Sequence, residues 1–369
     1  MRSKVWSALL AGAGLAACAV QGPVEPVMRV VEPAPPLASG GGGAAPPDQP
    51  GEGFAGLPGW ADDDHAAALL AFQAGCGASR DPPLADVCRR ARAAGRMGEQ
   101  AARGFLEANF RPHAAPETGL LTAYFTPLYE ARDRPSGAFT APVRPRPGDL
   151  PGGARTAPGD YPDRAAIEAR PAGDALAWMR PEDLFFMQVQ GSGVLIFPGG
   201  ARSRAVFDGT NGARFVGIAA PLRQQGLIAD GATSGEAIRA WLAANRGAPA
   251  DAIMRANPRY VFFSLRGDDG GEPIGAAGLP LIPGRAVAVD PSRHAMGEML
   301  WIDAASPALA GAVPALRRLA VALDTGGAIK GEARADLYMG RGPAAGLEAG
   351  RVRHVLRLYR LTPVDRPGA

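Results

Sequence analysis

The chain has 369 residues, 47% hydrophobic and 20% charged, enough to bury a sizeable core and too many for one compact unit, so two domains are expected. Gly 50 and Pro 36 together make about 23% of it, against a usual ~12%, which excludes long coiled coils and helical bundles in favour of turns, loops and low-complexity chain. A net charge of +3, with Lys4 and Lys330 the only lysines, implies no nucleic-acid-binding surface, and four His with three Cys make a multi-ligand zinc site hard to assemble.

At the amino terminus, Arg2 and Lys4 precede an apolar run from about Val5 to Ala17. That run is too short to span a bilayer as a permanent helix and reads as an export signal. It ends Leu15-Ala16-Ala17-Cys18, which resembles the bacterial lipobox, in which the cysteine is lipidated and becomes the first mature residue. The resemblance implies a membrane anchor at Cys18, and Ala19 in place of Asp after it implies the periplasmic face of the outer membrane. An ordinary signal peptide with an incidental Cys18 is the alternative. With Cys18 acylated, Cys76 and Cys88 remain as an even pair in a compartment where disulfides persist. A bridge pinning a helix-loop-helix is expected, two isolated buried thiols being the alternative.

Residues 19–59 include PAPPLASGGGGAAPPDQPGEG, a tether whose glycines gain little from ordering and whose prolines supply no amide donors. Its last part is free to fold against the protein. From Trp60 the sequence changes to DDDHAAALLAFQAG, with acidic residues at a helix start and then an apolar face, and a second helical pattern runs through 84–108 with a break at Gly95 and Gly98. At Leu120 the period changes. LLTAYFTPLYEA, FFMQVQGSGVLIF at 185–197, RFVGI at 214–218, RYVFFSL at 259–265 and RAVAVD at 285–290 predict strands. TSGEAIRAWLAAN at 233–245 predicts a helix capped by Thr233 or Ser234, and another short helix is predicted before Asn257-Pro258. The βαβ spacing of a doubly wound sheet is absent, so the fold class is mainly β with peripheral helices around a barrel-like body.

The densest chemical signal is RLAVALDTGGAIKGEARADLYMGRGPAAG at 318–346. Val321-Ala322-Leu323 reads as a buried strand delivering Asp324, a second strand presents Asp336 before Leu337-Tyr338, and Asp290 closes AVAVD. Charged groups at apolar strand ends are costly unless paired, hydrogen bonded or protonated. One of these carboxyls could be held neutral as the proton donor needed to cleave an acetal, although turn-capping aspartates are the structural alternative. Asp-Thr-Gly-Gly has neither GxGxxG nor Walker spacing, so a phosphate site is weaker still.

The blocks GLLTAYFTPLYEAR, EDLFFMQVQGSGVLIFPGG, NGARFVGI, NPRYVFF, GLPLIPGRAVAVDPS and DTGGAIKGEARADLYMGRGPAAG, in that order across roughly 115–360, resemble the membrane-bound lytic murein transglycosylase A family. The resemblance implies a double-psi β-barrel with an inserted second β-rich domain and a cleft between them that takes a peptidoglycan glycan strand. It implies cleavage of the β-1,4 bond between N-acetylmuramic acid and N-acetylglucosamine by attack of the muramyl C6 hydroxyl, leaving a 1,6-anhydro end, with no cofactor. Carried over residue by residue, Asp336 is the single acid/base, and Asp324, with Asp290 as third member, tunes it. The expected boundaries are 1–17 for the signal, 18–59 for anchor and tether, 60–130 for helices and the first part of the barrel, 131–268 for the insert, and 269–369 for the three-aspartate part.

For the binding wall, Thr122 is expected to offer a hydroxyl and Tyr124 an aromatic face, with Gln188, Gln190 and Ser192 alternating along a strand that ends in flexible chain at Gly191–Gly193. Phe185 and Phe186 read as core. PSRHAMGEMLWID after Asp290 departs from the Pro-Gly-Thr-like turn of the wider resemblance. His294 there reads as a surface or hydrogen-bonding group, and His65, His113 and His354 are too dispersed to form a ligand cluster. The competing functions are a hydrolytic endoglycosidase using a second carboxylate as base and a peptidoglycan-binding lipoprotein without turnover.

Overall fold

A computed structural model describes residues 53–150, 157, 161–229, 234–307 and 312–364. The export signal, Cys18 and nearly all of the tether lie outside the described residues. Among the described residues no helix is long and apolar enough to cross a membrane.

Three helices lead: α1 (His65–Gly75), α2 (Pro82–Ala94) and α3 (Glu99–Asn109). Asp64 accepts the Ala67 N–H at 2.8 Å and Asp81 the Leu84 N–H at 3.1 Å, satisfying first-turn amides that have no helical partner. Gly95 and Gly98 bracket the break between the second and third helices. Phe72, Leu69 and Leu106 pack with Trp301, Leu319 and Tyr359 of the sheet, and Phe54 and Leu57 from the end of the tether are buried in the same cluster. Asp63 fastens this segment down, accepting from the Arg285 guanidinium at 2.8 Å and the Leu319 N–H at 2.9 Å.

The expected bridge is present: Cys76, just after α1, is bonded to Cys88 within α2. It closes a short loop, and the loss of unfolded-chain entropy for such a loop is worth about 3 kcal/mol. Replacing both cysteines by serine is expected to lower the unfolding free energy by 2–3 kcal/mol on this scale, measured by urea denaturation, without altering the barrel.

The chain then runs through β1 (Phe110–Ala114), β2 (Gly119–Thr126), β3 (Leu128–Glu130), β4 (Ala141–Val143), α4 (Arg164–Glu168), β5 (Ala177–Met179), α5 (Pro181–Gln190), β6 (Gly193–Ile196) and β7 (Arg202–Thr210). It continues through α6 (Ala219–Gln224), α7 (Gly235–Ala244), α8 (Ala248–Arg255), β8 (Val261–Gly267), β9 (Ala286–Val289), β10 (Met299–Pro307), β11 (Leu316–Thr325), β12 (Arg334–Arg341), α9 (Gly342–Ala349) and β13 (Arg353–Pro363). Strands β13-β10-β11-β9-β12-β2 close on one another through a β13–β2 pairing, giving a six-stranded double-psi barrel with β1 added outside. Two parallel pairs, β9 with β11 and β2 with β12, sit among otherwise antiparallel neighbours. Consecutive residues of β9 and of β10 from Met299 to Ala304 are buried, which explains why these segments read as continuous apolar runs instead of alternating ones.

Between the second and ninth strands the chain builds a separate four-stranded sheet, β3-β6-β7-β8, and a β4-β5 pair. Ser234 caps α7 by accepting the Ala237 N–H at 3.2 Å, and α8 occupies the short helix expected before Asn257-Pro258.

Of the predicted strands, one is helix over its first half and another is not a strand at all. Residues 185–190 belong to α5, and only Gly193–Ile196 of that run is extended. Pro181 opens the helix, Glu182 and Asp183 lie in its first turn, and Gly191 closes it at φ 82°, a left-handed end that glycine takes without a Cβ penalty. The helix is buried nearly all round, from Glu182 to Gln188, so its apolar positions show no helical period and imitate a core strand. RFVGI at 214–218 is irregular chain, held by Val216 donating to Asn257 Oδ1 at 3.1 Å.

Candidate active site

Strand register builds the site. Asp336 stands opposite Thr122 across the β2–β12 pair and opposite Ala288 across β9–β12, while Asp324 stands opposite Ala288 across β9–β11. The two carboxylates therefore flank one small residue on the intervening strand, roughly 10 Å apart at the backbone by sheet spacing. They line a cleft of about 200 Å³ whose other wall comes from the inserted segment, with Gln188, Gln190, Phe207, Asn257 and Arg259.

The two aspartates differ in their hydrogen bonds. Asp324 accepts from the Tyr124 hydroxyl at 2.7 Å, the Ala276 N–H at 3.0 Å and its neighbour Thr325 N–H at 2.9 Å. Asp336 Oδ1 accepts from the Thr122 hydroxyl at 2.5 Å, and its Oδ2 has no partner among the described residues. Burial pushes the Asp336 carboxyl above its ordinary value, with the Arg334 guanidinium and the Thr122 bond opposing and the Asp324 charge adding to the rise. Burial also raises Asp324, against the pull of Tyr124 and the two amides. With one donor against three, Asp336 is the carboxyl less stabilised as an anion, and Oδ2 is the free position for a proton. Burial and the Asp324 charge push the Tyr124 phenol well above its usual range, so it serves Asp324 as a donor.

Of the residues singled out in the sequence, Tyr124, Gln188, Gln190, Asp324 and Asp336 line the cleft. Thr122 is fully buried with its hydroxyl committed to Asp336, so it supports the carboxyl instead of offering a contact on the wall. Gln188 and Gln190 do not share a strand face: two residues apart on a helix they diverge, and Gln188 Nε2 donates to Val261 O at 3.2 Å. Ser192 and Gly193 leave the cleft wall at the helix-to-strand turn, and Gly193 is buried. Phe185 and Phe186 are core residues.

Asp290 does not join the pair. Its Oδ1 accepts from the Ser292 amide at 3.1 Å and the Ser292 hydroxyl at 2.8 Å, and its Oδ2 from the Gly331 N–H at 2.9 Å. Burial would raise this carboxyl, but those donors and the Lys330 charge outweigh it and hold Asp290 below the ordinary carboxylate range. It therefore ties down the segment that joins Asp324 to Asp336. His294 works alongside it, buried, with Nε2 at 2.8 Å from Glu332 O and Nδ1 at 3.1 Å from Glu298. The unusual sequence after Asp290 is thus a brace for that segment. Among the described residues no group of three or more His, Cys, Asp or Glu side chains is placed to hold a metal ion.

Residues not singled out from the sequence complete the cleft, chief among them Ala288, Arg259 and Arg334. Arg334 lies two residues before Asp336 on one strand, so strand alternation places both on the same face. That signal was available in EARAD.

The sequence profile of the MltA specific insert domain matches residues 120–264, and that of the 3D domain matches residues 285–362. The membrane-bound lytic murein transglycosylase A of Vibrio cholerae serotype O1 is 34% identical over 264 residues, 68% of each chain. A membrane-bound lytic murein transglycosylase from Agrobacterium tumefaciens superposes with a TM-score of 0.72 at 31% identity, covering 85% of this chain and 97% of that one. The structure of Escherichia coli MltA with bound chitohexaose superposes at 0.64 with 27% identity, covering 87% of this chain and 93% of that one. On the combined match of sequence, barrel and insert, the chain belongs to the membrane-bound lytic murein transglycosylase A family.

Proposed function

We propose that the chain is a lytic transglycosylase that cleaves the β-1,4 bond between N-acetylmuramic acid and N-acetylglucosamine in peptidoglycan. The observation that carries this is Asp336, a desolvated carboxyl on the cleft floor with one oxygen fixed by Thr122 and the other free. As the acid it gives its proton to the glycosidic oxygen, so the aglycone leaves as an alcohol instead of an alkoxide. As the resulting carboxylate it takes the proton of the muramyl C6 hydroxyl while that oxygen closes on C1 and forms the 1,6-anhydro ring. No water is consumed, and the carboxyl ends in its starting state.

Hydrolysis needs a second carboxylate to activate water or attack the sugar. Asp324 is poorly suited to that, because three donors occupy both of its oxygens; its role in this reading is to hold a fixed negative charge that helps Asp336 keep its proton. Mass spectrometry of products from purified sacculi is the test. Muropeptides one water lighter than the reducing species support transglycosylation, whereas ordinary reducing ends transfer the reading to a hydrolase, and intact sacculi to a binding protein.

The membrane attachment in this reading is lipid on Cys18, with residues 18–59 as the leash and the periplasmic face of the outer membrane as the site of action. It draws support from the membrane-bound relatives and from the lipobox-like end of the export signal.

A further inference from the structure

The cleft holds three arginines, and among the described residues only one of them is in an ion pair with a carboxylate. Arg164 pairs with Glu168 at 3.3 Å, donates to the carbonyls of Asn257 and Arg259, and lies over the Phe185 ring. It is a structural cation. Arg259 donates through Nη1 to Ala213 O at 3.3 Å. Arg334 donates through Nη1 to Leu120 O at 3.3 Å and Ala335 O at 2.6 Å. Neither forms an ion pair with a carboxylate among the described residues, and the remaining donors of both forks have no protein acceptor there. A guanidinium presents five N–H donors in a planar array suited to a carboxylate.

The two come from opposite walls. Arg334 is on β12, two residues before Asp336. Arg259 comes from the insert and reaches the barrel, where a Cβ on Gly327 would sit 3.4 Å from its guanidinium carbon. Both half-buried cations face the cleft that also holds Asp336 and Asp324. Burial disfavours the charge on each, a cost that an anionic ligand would offset.

We infer that Arg259 and Arg334 form a carboxylate subsite that reads an acidic substituent of the glycan beside the bond to be cut. This rests on the glycan reading above and adds to it a preference for charged over neutral saccharide. The carboxylate has two possible sources, the lactyl group of a peptide-free muramyl residue or the side groups of a stem peptide.

The test is calorimetric titration of the Asp336→Asn protein, which binds without turnover, with three ligands: chitohexaose, a peptide-free oligomer of alternating N-acetylglucosamine and N-acetylmuramic acid, and the same oligomer bearing stem peptides. Adding Arg259→Gln, or separately Arg334→Gln, is expected to lower the affinity ratio of acidic to neutral ligand about tenfold or more, the scale of one charge-assisted hydrogen bond. Arg259→Lys is expected to recover part of it. Loss confined to the peptide-free oligomer assigns the lactyl carboxylate, and loss confined to the peptide-bearing one assigns the stem. Acetate added to the Asp336→Asn protein with both arginines intact should weaken the acidic ligand more than chitohexaose, a readout independent of how the arginine variants fold. An unchanged ratio in both Gln variants, with no differential effect of acetate, overturns the subsite while leaving the glycan reading intact. Failure of all three ligands to bind overturns both.

Discussion

Asp336→Asn is expected to lower kcat at least about 10³-fold, since in the proposed mechanism one carboxyl serves as both acid and base and each such role is worth 10²–10⁴. Glycan affinity is expected to survive, because Asn keeps an oxygen to accept the Thr122 hydroxyl that now meets Asp336 Oδ1. The variant should also be no less stable than the wild type at neutral pH. Burial raises the folded-state pKa of Asp336 above its ordinary value, so the folded chain binds that proton more tightly than the unfolded chain does. Stability from this group is therefore greatest at low pH and falls as pH rises from the unfolded value, ~3.9, through the raised folded one. An amide, which does not titrate, escapes that loss. In the proposed mechanism the same shift sets the pH dependence of activity: turnover is expected to persist while Asp336 is protonated and to fail as pH rises through its elevated pKa. A variant that folds, binds and still releases anhydro product at a rate within tenfold of wild type would move the acid role to another group.

How much of this was legible in the sequence depends on what each residue's signal is local to. The strands that carry Asp324 and Asp336, the helix start after the acidic run at 62–64, the Ser234 cap and the Cys76–Cys88 bridge were legible in the chain itself, and the structure bears them out, with Asp336 inside its strand and not at its end. Periodicity failed at 185–190, because a helix buried on every side carries no amphipathic stripe; its markers were Pro181 at the start and Gly191 at the end.

The ranking of the carboxyls was illegible for a different reason. It is set by donors far along the chain, Tyr124 and Ala276 for Asp324 and Thr122 for Asp336, and partner counts of that kind exist only once the barrel closes. Asp290 shows the same limit in reverse. Its place at the end of an apolar strand looked like that of the other two, yet its oxygens are spent on Ser292 and Gly331.

Gly119→Ala is expected to destabilise the protein by about 3 kcal/mol or more, the range reached when a substitution forces backbone to move. A Cβ at Gly119 would fall 1.7 Å from Ala333 O and 2.7 Å from Ala333 Cβ, contacts that no rotamer change can relieve. The strand cannot simply step aside. Leu120 N–H donates to that same Ala333 O at 3.0 Å, and on the other flank Gly119 is paired with Leu356 of β13. Relief must come from sliding or splaying the β2–β12 seam, and three residues further on that seam sets Thr122 against Asp336. The surviving folded fraction should therefore lose turnover as well as stability. Gly104→Ala provides the contrast within the same chain. Gly104 is an exposed position inside α3 with nothing within 4 Å of an added Cβ, so alanine there should raise stability by up to ~1 kcal/mol through helix propensity. Parallel urea titrations of the two variants separate a steric seam from a general effect of added methyl groups. If Gly119→Ala unfolds at the wild-type midpoint and keeps full activity, the closure of the barrel at this point does not position the acid.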